Sequence, residues 1–388
     1  MMKKFALAAA VMTCLCALQA AAQVKEDFVP SSTVQPGKQY PAVNSERCVR
    51  VKVDAPDAQS VKLDIGGVKY DLVKGADGSW MGESAPQDEG FHYYNLVIDG
   101  AAGPDPTALY YYGSGHWTSG VEVPAYDGDF FALKNVPQGQ VREMFYWSET
   151  TGEMRRCFVY TPAEYEYSPT KRYPVLYIQH GGGENEYGWA QQGRTAQIMD
   201  NLIAEGAAVP FIVVMASSEV ARPRPQAAPQ AGRPAGGFAM FDFVGPYDNV
   251  LVKDLIPEID RTFRTIPDSA HRAMAGLSMG GMITKSVTLK HPDVFSNIGI
   301  FSGGTITVAD ADNTPGFRES NRLVFVGFGS TELEHRVPGF GDGTDPRLET
   351  EEVCASGVNA HFYVSPGTAH EWLTWRRCLY QFAQLLFK

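Results

Sequence analysis

The chain has 388 residues, of which 44% are hydrophobic and 20% charged, with a formal net charge of −11. That length is long for one core and favours two domains, and the composition lies well clear of disorder. An acidic surface argues against nucleic acid and anionic membranes as partners.

Met1-Met2-Lys3-Lys4, the apolar run Phe5 to Leu18 and the small residues Ala20-Ala21-Ala22 read as a signal peptide over 1–22. Export to the periplasm or the cell exterior is therefore expected, with a mature start near Gln23. Loss of Lys3 and Lys4 takes the charge from −11 to −13. No apolar run is long enough to span a bilayer, so membrane insertion is not expected. Cys48, Cys157, Cys354 and Cys378 remain, and four cysteines allow three pairings in an exported protein. Cys354 and Cys378 fall on two predicted C-terminal helices and are the favoured pair, with free buried thiols as the alternative. The cysteine spacing suits no zinc site.

Residues 23–135 read as short alternating strands. Val49, Val51 and Val53 alternate with Arg50 and Lys52, and Val61 to Ile65 ends at Gly66-Gly67. Asp77-Gly78-Ser79-Trp80 and Gly90 to Gly100 follow. Strands of this length and spacing predict an immunoglobulin-like β-sandwich. The order of Ala55-Pro56-Asp57-Ala58, D-G-S-W, F-H-Y-Y-x-L-x-I-D-G and Asp105-Pro106 resembles the carbohydrate-binding modules attached to glycogen-branching and related enzymes. The resemblance implies that Trp80, Tyr93 and Tyr94 can stack on sugars. Packing of these rings in the core or between domains is the alternative, and for this chain the preferred one.

Val136 to Val141 marks a boundary, and residues 136–388 alternate strands and helices. Such alternation implies a mainly parallel sheet covered on both faces. Arg155 to Thr161 is a strand closed by Pro162, and Tyr173 to Gln179 is a buried strand running into His180-Gly181-Gly182-Gly183. A helix is predicted over about Arg194 to Glu205, then a strand over Phe211 to Met215. Ser217 to Gly245 is irregular, rich in Pro, Ala, Arg and Gly, and too long for an ordinary connection. A helix over about Asp248 to Phe263 leads to the next strand. The last helix carries Trp372, Trp375, Leu379, Phe382 and Leu386 at helical spacing, a core-packing stripe.

Gly276-Leu277-Ser278-Met279-Gly280-Gly281 reads G-x-S-x-G, with an apolar strand before it and a helix-compatible run after it. A strand turning sharply into a helix leaves little room, and glycines two positions either side of Ser278 supply it. Ser278 is therefore the candidate nucleophile. A nucleophilic serine needs a base, an orienting acid and an oxyanion hole. In α/β-hydrolases the order along the chain is Ser, acid, His, each on a loop leaving a strand's C-terminal end. Of the histidines after Ser278, His370 sits just beyond the last strand and before the last helix. His291 and His361 are at a helix end and in or beside a strand, and His335 follows too closely on the strand that supplies the acid. Glu332 leaves that preceding strand and is the favoured acid, with Asp345 second. The glycines after His180 let backbone N–H groups approach a carbonyl. Gly181, Gly182 and Met279 are the candidate oxyanion donors.

The run H-G-G-G-E-N-E-Y-G-W, the later Val252-Lys253-Asp254-Leu255-Ile256-Pro257, A-G-L-S-M-G-G and His291-Pro292-Asp293-Val294-Phe295 resemble the esterase-D-like α/β-hydrolases. That family includes bacterial feruloyl and acetylxylan esterases and siderophore esterases. The resemblance implies an α/β-hydrolase fold behind an N-terminal all-β sandwich, and an exported serine carboxylesterase. Feruloylated xylan is the leading substrate, with acetylated xylan or a siderophore ester as alternatives. Two-step acyl transfer through Ser278 needs no metal or organic cofactor. A glycan-binding protein with a vestigial hydrolase domain is the reading from a different class. Trp189, Phe241 and Phe243 are the candidate substrate-contacting aromatics. The last two lie in the Ser217–Gly245 stretch, which is either a covering loop over the site or a surface insertion. Residues from about Val136 onward are expected to hold the whole catalytic site. The acid of the family is usually aspartate, and Glu332 departs from that.

Overall fold

The computed structural model describes residues 24–220, 245–335 and 344–388. The leader read over 1–22, and Phe241 and Phe243, lie outside the described residues.

Two antiparallel sheets form the N-terminal region. One orders Val29–Pro30, Ala42–Val43, Val49–Asp54, Ser79–Glu83 and Val73–Lys74. The other orders Tyr110–Gly113, His116–Val123, Gly90–Ile98, Val61–Ile65 and Val68–Asp71, with Ala101–Gly103 added beside Gly90–Ile98. Val49, Val51, Val53, Val61, Leu63, Ile65, Leu96, Val121 and Val123 are buried together, so period-2 alternation does here what it must in a sandwich. Trp80 and Tyr94 belong to that core. The Trp80 indole donates to Ala55 O at 2.9 Å and the Tyr94 hydroxyl to Asp105 Oδ2 at 2.8 Å. Tyr93 points to the hydrolase region instead. All three rings are therefore committed to packing rather than offered to a sugar.

The second region is one eight-stranded sheet. Its spatial order is Gln140–Ser148, Glu153–Thr161, Ile212–Ala216, Val175–Gln179, Arg272–Leu277, Asn297–Phe301, Leu323–Gly329 and Ala360–Ser365. Numbered along the chain, that is 1-2-4-3-5-6-7-8. The first two strands pair antiparallel, the second pairs antiparallel with Ile212–Ala216, and the remaining pairs are parallel. The central strands Val175–Gln179, Ile212–Ala216 and Asn297–Phe301 are buried at every position, as strands covered on both faces are. One face, including Leu176, Ile178, Val213, Ala275, Phe301 and Phe325, lies under the helices Thr195–Ala204 and Trp372–Leu385. Phe91 and Tyr111 of the sandwich join this core. The opposite face is covered by the helical segment 250–262 and by Met279–Lys290 on one side, and by Val308–Asn313 and Pro346–Ala355 on the other.

The cysteines depart from the favoured pairing, since Cys48, Cys157, Cys354 and Cys378 are all free. Cys354 and Cys378 do lie on the two C-terminal helices, but those helices cover opposite faces of the sheet. Cys378 is fully buried against Gly327, whose missing side chain makes room for its sulfur, while Cys354 is exposed. Among the described residues, no three His, Cys, Asp or Glu side chains gather as a metal would require, and no helix is long and apolar enough to cross a membrane.

Candidate active site

Ser278 stands between the strand Arg272–Leu277 and the helix Met279–Lys290, at φ 51° and ψ −119°. A non-glycine residue held there is strained, and such strain persists only where the surroundings over-determine it. Two glycines show why the turn closes. A Cβ on Gly276 would come within 2.3 Å of Gly280 O, and one on Gly280 within 2.5 Å of His180 O. Ser278 N donates to Phe301 O at 2.8 Å, which ties the elbow to the neighbouring strand. Met279 opens the helix, where the first N–H groups lack intrahelical partners and the dipole is positive.

His370 follows the last strand and Glu332 the strand beside it. His370 Nδ1 lies 2.8 Å from Glu332 Oε1. The other oxygen of Glu332 accepts from Ser302 Oγ at 2.8 Å, and Ser302 accepts from the Trp375 indole at 3.2 Å. Ser302 has φ 51° at the end of its own strand, so a second strained turn aims its hydroxyl at the Glu332 carboxylate. Trp375 also packs edge-on against the His370 ring, with centroids 5.1 Å apart. Ser302 was not singled out from sequence, and Trp375 was read only as part of the core-packing stripe of the last helix. Asp345, the second candidate acid, caps the helix Pro346–Ala355 by accepting from Arg347 N at 2.9 Å.

The strand Val175–Gln179 delivers His180 to Glu184. His180 is fully buried and its Nε2 accepts from Ser218 N at 3.0 Å, so Nδ1 carries the proton and donates to Gly181 O at 2.8 Å. Burial pulls this imidazole down to about 4, which keeps it neutral. In a trans peptide the C=O and the following N–H point in opposite directions. Anchoring Gly181 O therefore turns the Gly182 N–H the other way, and a Cβ on Gly182 would meet nothing within 4 Å. Gly181 itself is corrected: its N–H already donates to Glu184 Oε2 at 3.2 Å and is not a free donor. Its glycine is needed for a close approach, since a Cβ there would lie 2.5 Å from Leu277 Cδ1 and 3.5 Å from Ser278 Cβ. That contact also fixes how near the glycine loop runs to the serine.

Trp189 is corrected as well. It is 1% exposed, donates its indole N–H to Gln179 O at 2.8 Å and packs against Phe301 and Trp372. A ring so enclosed props the glycine loop from below and has no face for a substrate.

Strand order 1-2-4-3-5-6-7-8, a strained serine between strand and helix, and a histidine–carboxylate pair at the ends of later strands together define an α/β-hydrolase fold with an N-terminal all-β region. Residues 148–309 match the Esterase family model. Over 372 residues the chain is 44% identical to an endo-1,4-beta-xylanase/feruloyl esterase of Xylanibacter ruminicola, covering 94% of this chain and 48% of that protein. It is 25% identical over 251 residues to endo-1,4-beta-xylanase Y of Acetivibrio thermocellus, covering 57% and 21%. The chain thus spans about half, or less, of the length of the curated relatives it matches. Among solved structures, a ferulic acid esterase from Anaeromyces mucronatus superposes with a TM-score of 0.52 at 21% identity, covering 68% of this chain and 96% of that one. An enterobactin esterase from Shigella flexneri gives 0.59 at 15% identity, covering 87% and 92%. At these identities the likeness is one of fold.

Proposed function

We propose that the protein is an exported serine carboxylesterase that releases feruloyl groups from xylan-type polysaccharide. The observation that carries the hydrolase chemistry is the 2.8 Å contact of His370 Nδ1 with Glu332, on loops at the same sheet end as the strained Ser278. With Nδ1 held by a carboxylate, Nε2 is the nitrogen left to take a proton. Ser278 Oγ attacks the ester carbonyl, His370 accepts its proton, and Glu332 steadies the imidazolium. The oxyanion is received by the N–H groups of Gly182 and Met279. His370 then protonates the leaving alcohol, activates water and allows the acyl-serine to hydrolyse. The feruloyl assignment is supported by the 44% identity to a protein named for that activity.

The test is hydrolysis by the purified protein of methyl ferulate and feruloylated arabinoxylan against acetylated xylan. Ferulate release at a higher kcat/KM is expected, and Ser278→Ala should stay folded while losing roughly 10³-fold or more of kcat. Faster acetate release would move the substrate to acetyl esters. An active Ser278→Ala protein would end the serine mechanism.

A further inference from the structure

The glycine loop is gripped from outside its own sheet. Tyr93 projects from the sandwich strand Gly90–Ile98, and its hydroxyl lies 3.1 Å from Glu184 Oε1. Gln192 Nε2 donates to the same hydroxyl oxygen at 2.7 Å and the Trp372 indole at 3.3 Å. Two donors fill that oxygen, so the Tyr93 proton must point outward. Tyr112 O, at 3.3 Å, already accepts from Gln192 Nε2 at 2.8 Å, which leaves the Glu184 carboxyl as the better acceptor. The other oxygen of Glu184 takes the Gly181 N–H. One residue earlier, Gly183 O accepts from Gly115 N at 2.7 Å, at the tip of the sandwich hairpin Tyr110–Val123. A Cβ on Gly183, which has φ +74°, would stand 3.1 Å from Ser114 Cα. Gly181, Gly183 and Glu184 are thus all fixed, and the residue between them, Gly182, keeps its N–H free.

We infer that the sandwich completes the oxyanion hole: Tyr93 and Glu184 are positioning residues, acting through Gly181 to aim the Gly182 N–H at the carbonyl attacked by Ser278. The inference rests on the serine-esterase reading and deepens it. It also runs against the expectation that residues from about Val136 onward hold the whole site. Catalysis by an oxyanion donor depends on its being in place before charge develops, because a mobile donor must reorganise at the moment of reaction. A loop of three glycines cannot hold itself still. Here the rigidity comes from a tyrosine 91 residues earlier in the chain than the carboxyl it holds.

Full-length variants test this through kcat and KM on p-nitrophenyl acetate and methyl ferulate. Both esters are soluble, so loss of polysaccharide contact plays no part. Glu184→Ala should lower kcat roughly 10²-fold, in the range for loss of one oxyanion donor, with KM little changed. Tyr93→Phe should lower it about tenfold by the same route. Glu184→Gln keeps an oxygen for the Gly181 N–H and should recover most of the rate lost in Glu184→Ala. The comparison variant is Asn201→Ala. Asn201 donates to Phe130 O and Ala132 O, both at 3.0 Å, on the segment leaving the sandwich and away from the glycine loop. It should melt at a lower temperature with kcat intact. The inference falls if folded Glu184→Ala or Tyr93→Phe retains wild-type kcat, or if Asn201→Ala loses as much as they do. Should Glu184→Ala not fold, Tyr93→Phe decides. A wild type that hydrolyses neither ester removes the esterase reading itself, whereas an active wild type with unaffected variants removes only this inference.

Discussion

His370 and Glu332 meet across adjacent parallel strands, whereas the glycine loop 180–184 is held from two separate sheets. The acid–base side needs only the register that aligns Gly329 with Ser365 and two loops of the right length. Its supporting groups, Ser302 and Trp375, come from the same region. The oxyanion side draws His180 and Glu184 from its own strand but Tyr93, Ser114 and Gly115 from the sandwich. One half of the site is thus a property of a single sheet, and the other a property of how two sheets are docked. The docking is itself buried: Arg376 on the last helix is fully enclosed and pairs through two N–H groups with Glu122 of the sandwich, at 2.6 and 3.0 Å.

The largest expected effect lies on the acid–base side. Glu332→Gln keeps the shape of the side chain but removes the charge that steadies the imidazolium. It should lower kcat by roughly 10²–10⁴-fold, as loss of the orienting acid does, with little change in KM. Asp345→Asn should leave kcat alone and cost at most about 1 kcal/mol of stability through a weaker helix cap. The reverse ranking in steady-state kinetics would make Asp345 the acid and the Glu332 contact incidental.

What was legible in the sequence divides along the same line. The tight turn at Ser278 and the approach of His370 to Glu332 could be anticipated because each of these residues follows a recognisable strand, and strand ends are local features. The need for glycine at 276 and 280 follows from turn geometry alone. The Tyr93–Glu184 contact joins residues 91 apart across two sheets, and nothing in the local pattern of either announces it. Trp189 was misjudged for a related reason: its place in the motif is local, but which way the ring faces depends on Phe301 and Trp372. The cysteines failed because two helices near each other in sequence were placed on opposite faces of the sheet. The Ser217–Gly245 stretch, where Phe241 and Phe243 were expected to meet substrate, falls largely outside the described residues.

A second experiment sharpens the docking side. Arg376→Met removes the guanidinium but leaves Glu122, 9% exposed, with Arg194 at 3.9 Å as its one remaining cation among the described residues. Breaking a buried pair by deleting one partner costs about 3–5 kcal/mol, because the remaining charge is stranded. Urea unfolding should show that loss in one shared transition, since Phe91 and Tyr111 are part of the hydrolase core. Two separated transitions, or an unmoved midpoint, would show that the sandwich is merely appended. The oxyanion loop would then have no firm base.

The effect most specific to the loop is a pH dependence of stability. Burial pushes the Glu184 carboxyl up to about 7 from 4.5, against the opposing pull of the Gly181 N–H, the Tyr93 hydroxyl, the Trp372 indole and the charge of His370. Between those two values the unfolded chain has lost this proton while the folded protein keeps it, so the unfolded state binds fewer protons and stability falls as pH rises. The contribution is fully present below about 4.5 and gone above about 7, a difference of up to about 3 kcal/mol if the whole shift is realised. Glutamine at the same position does not titrate. The stability of Glu184→Gln relative to wild type, read from urea midpoints at pH 5 and pH 8, should therefore improve at the higher pH. An equal difference at both would mean that the carboxyl is hydrated in solution, and that the grip of Tyr93 on the glycine loop is looser than its 3.1 Å contact implies.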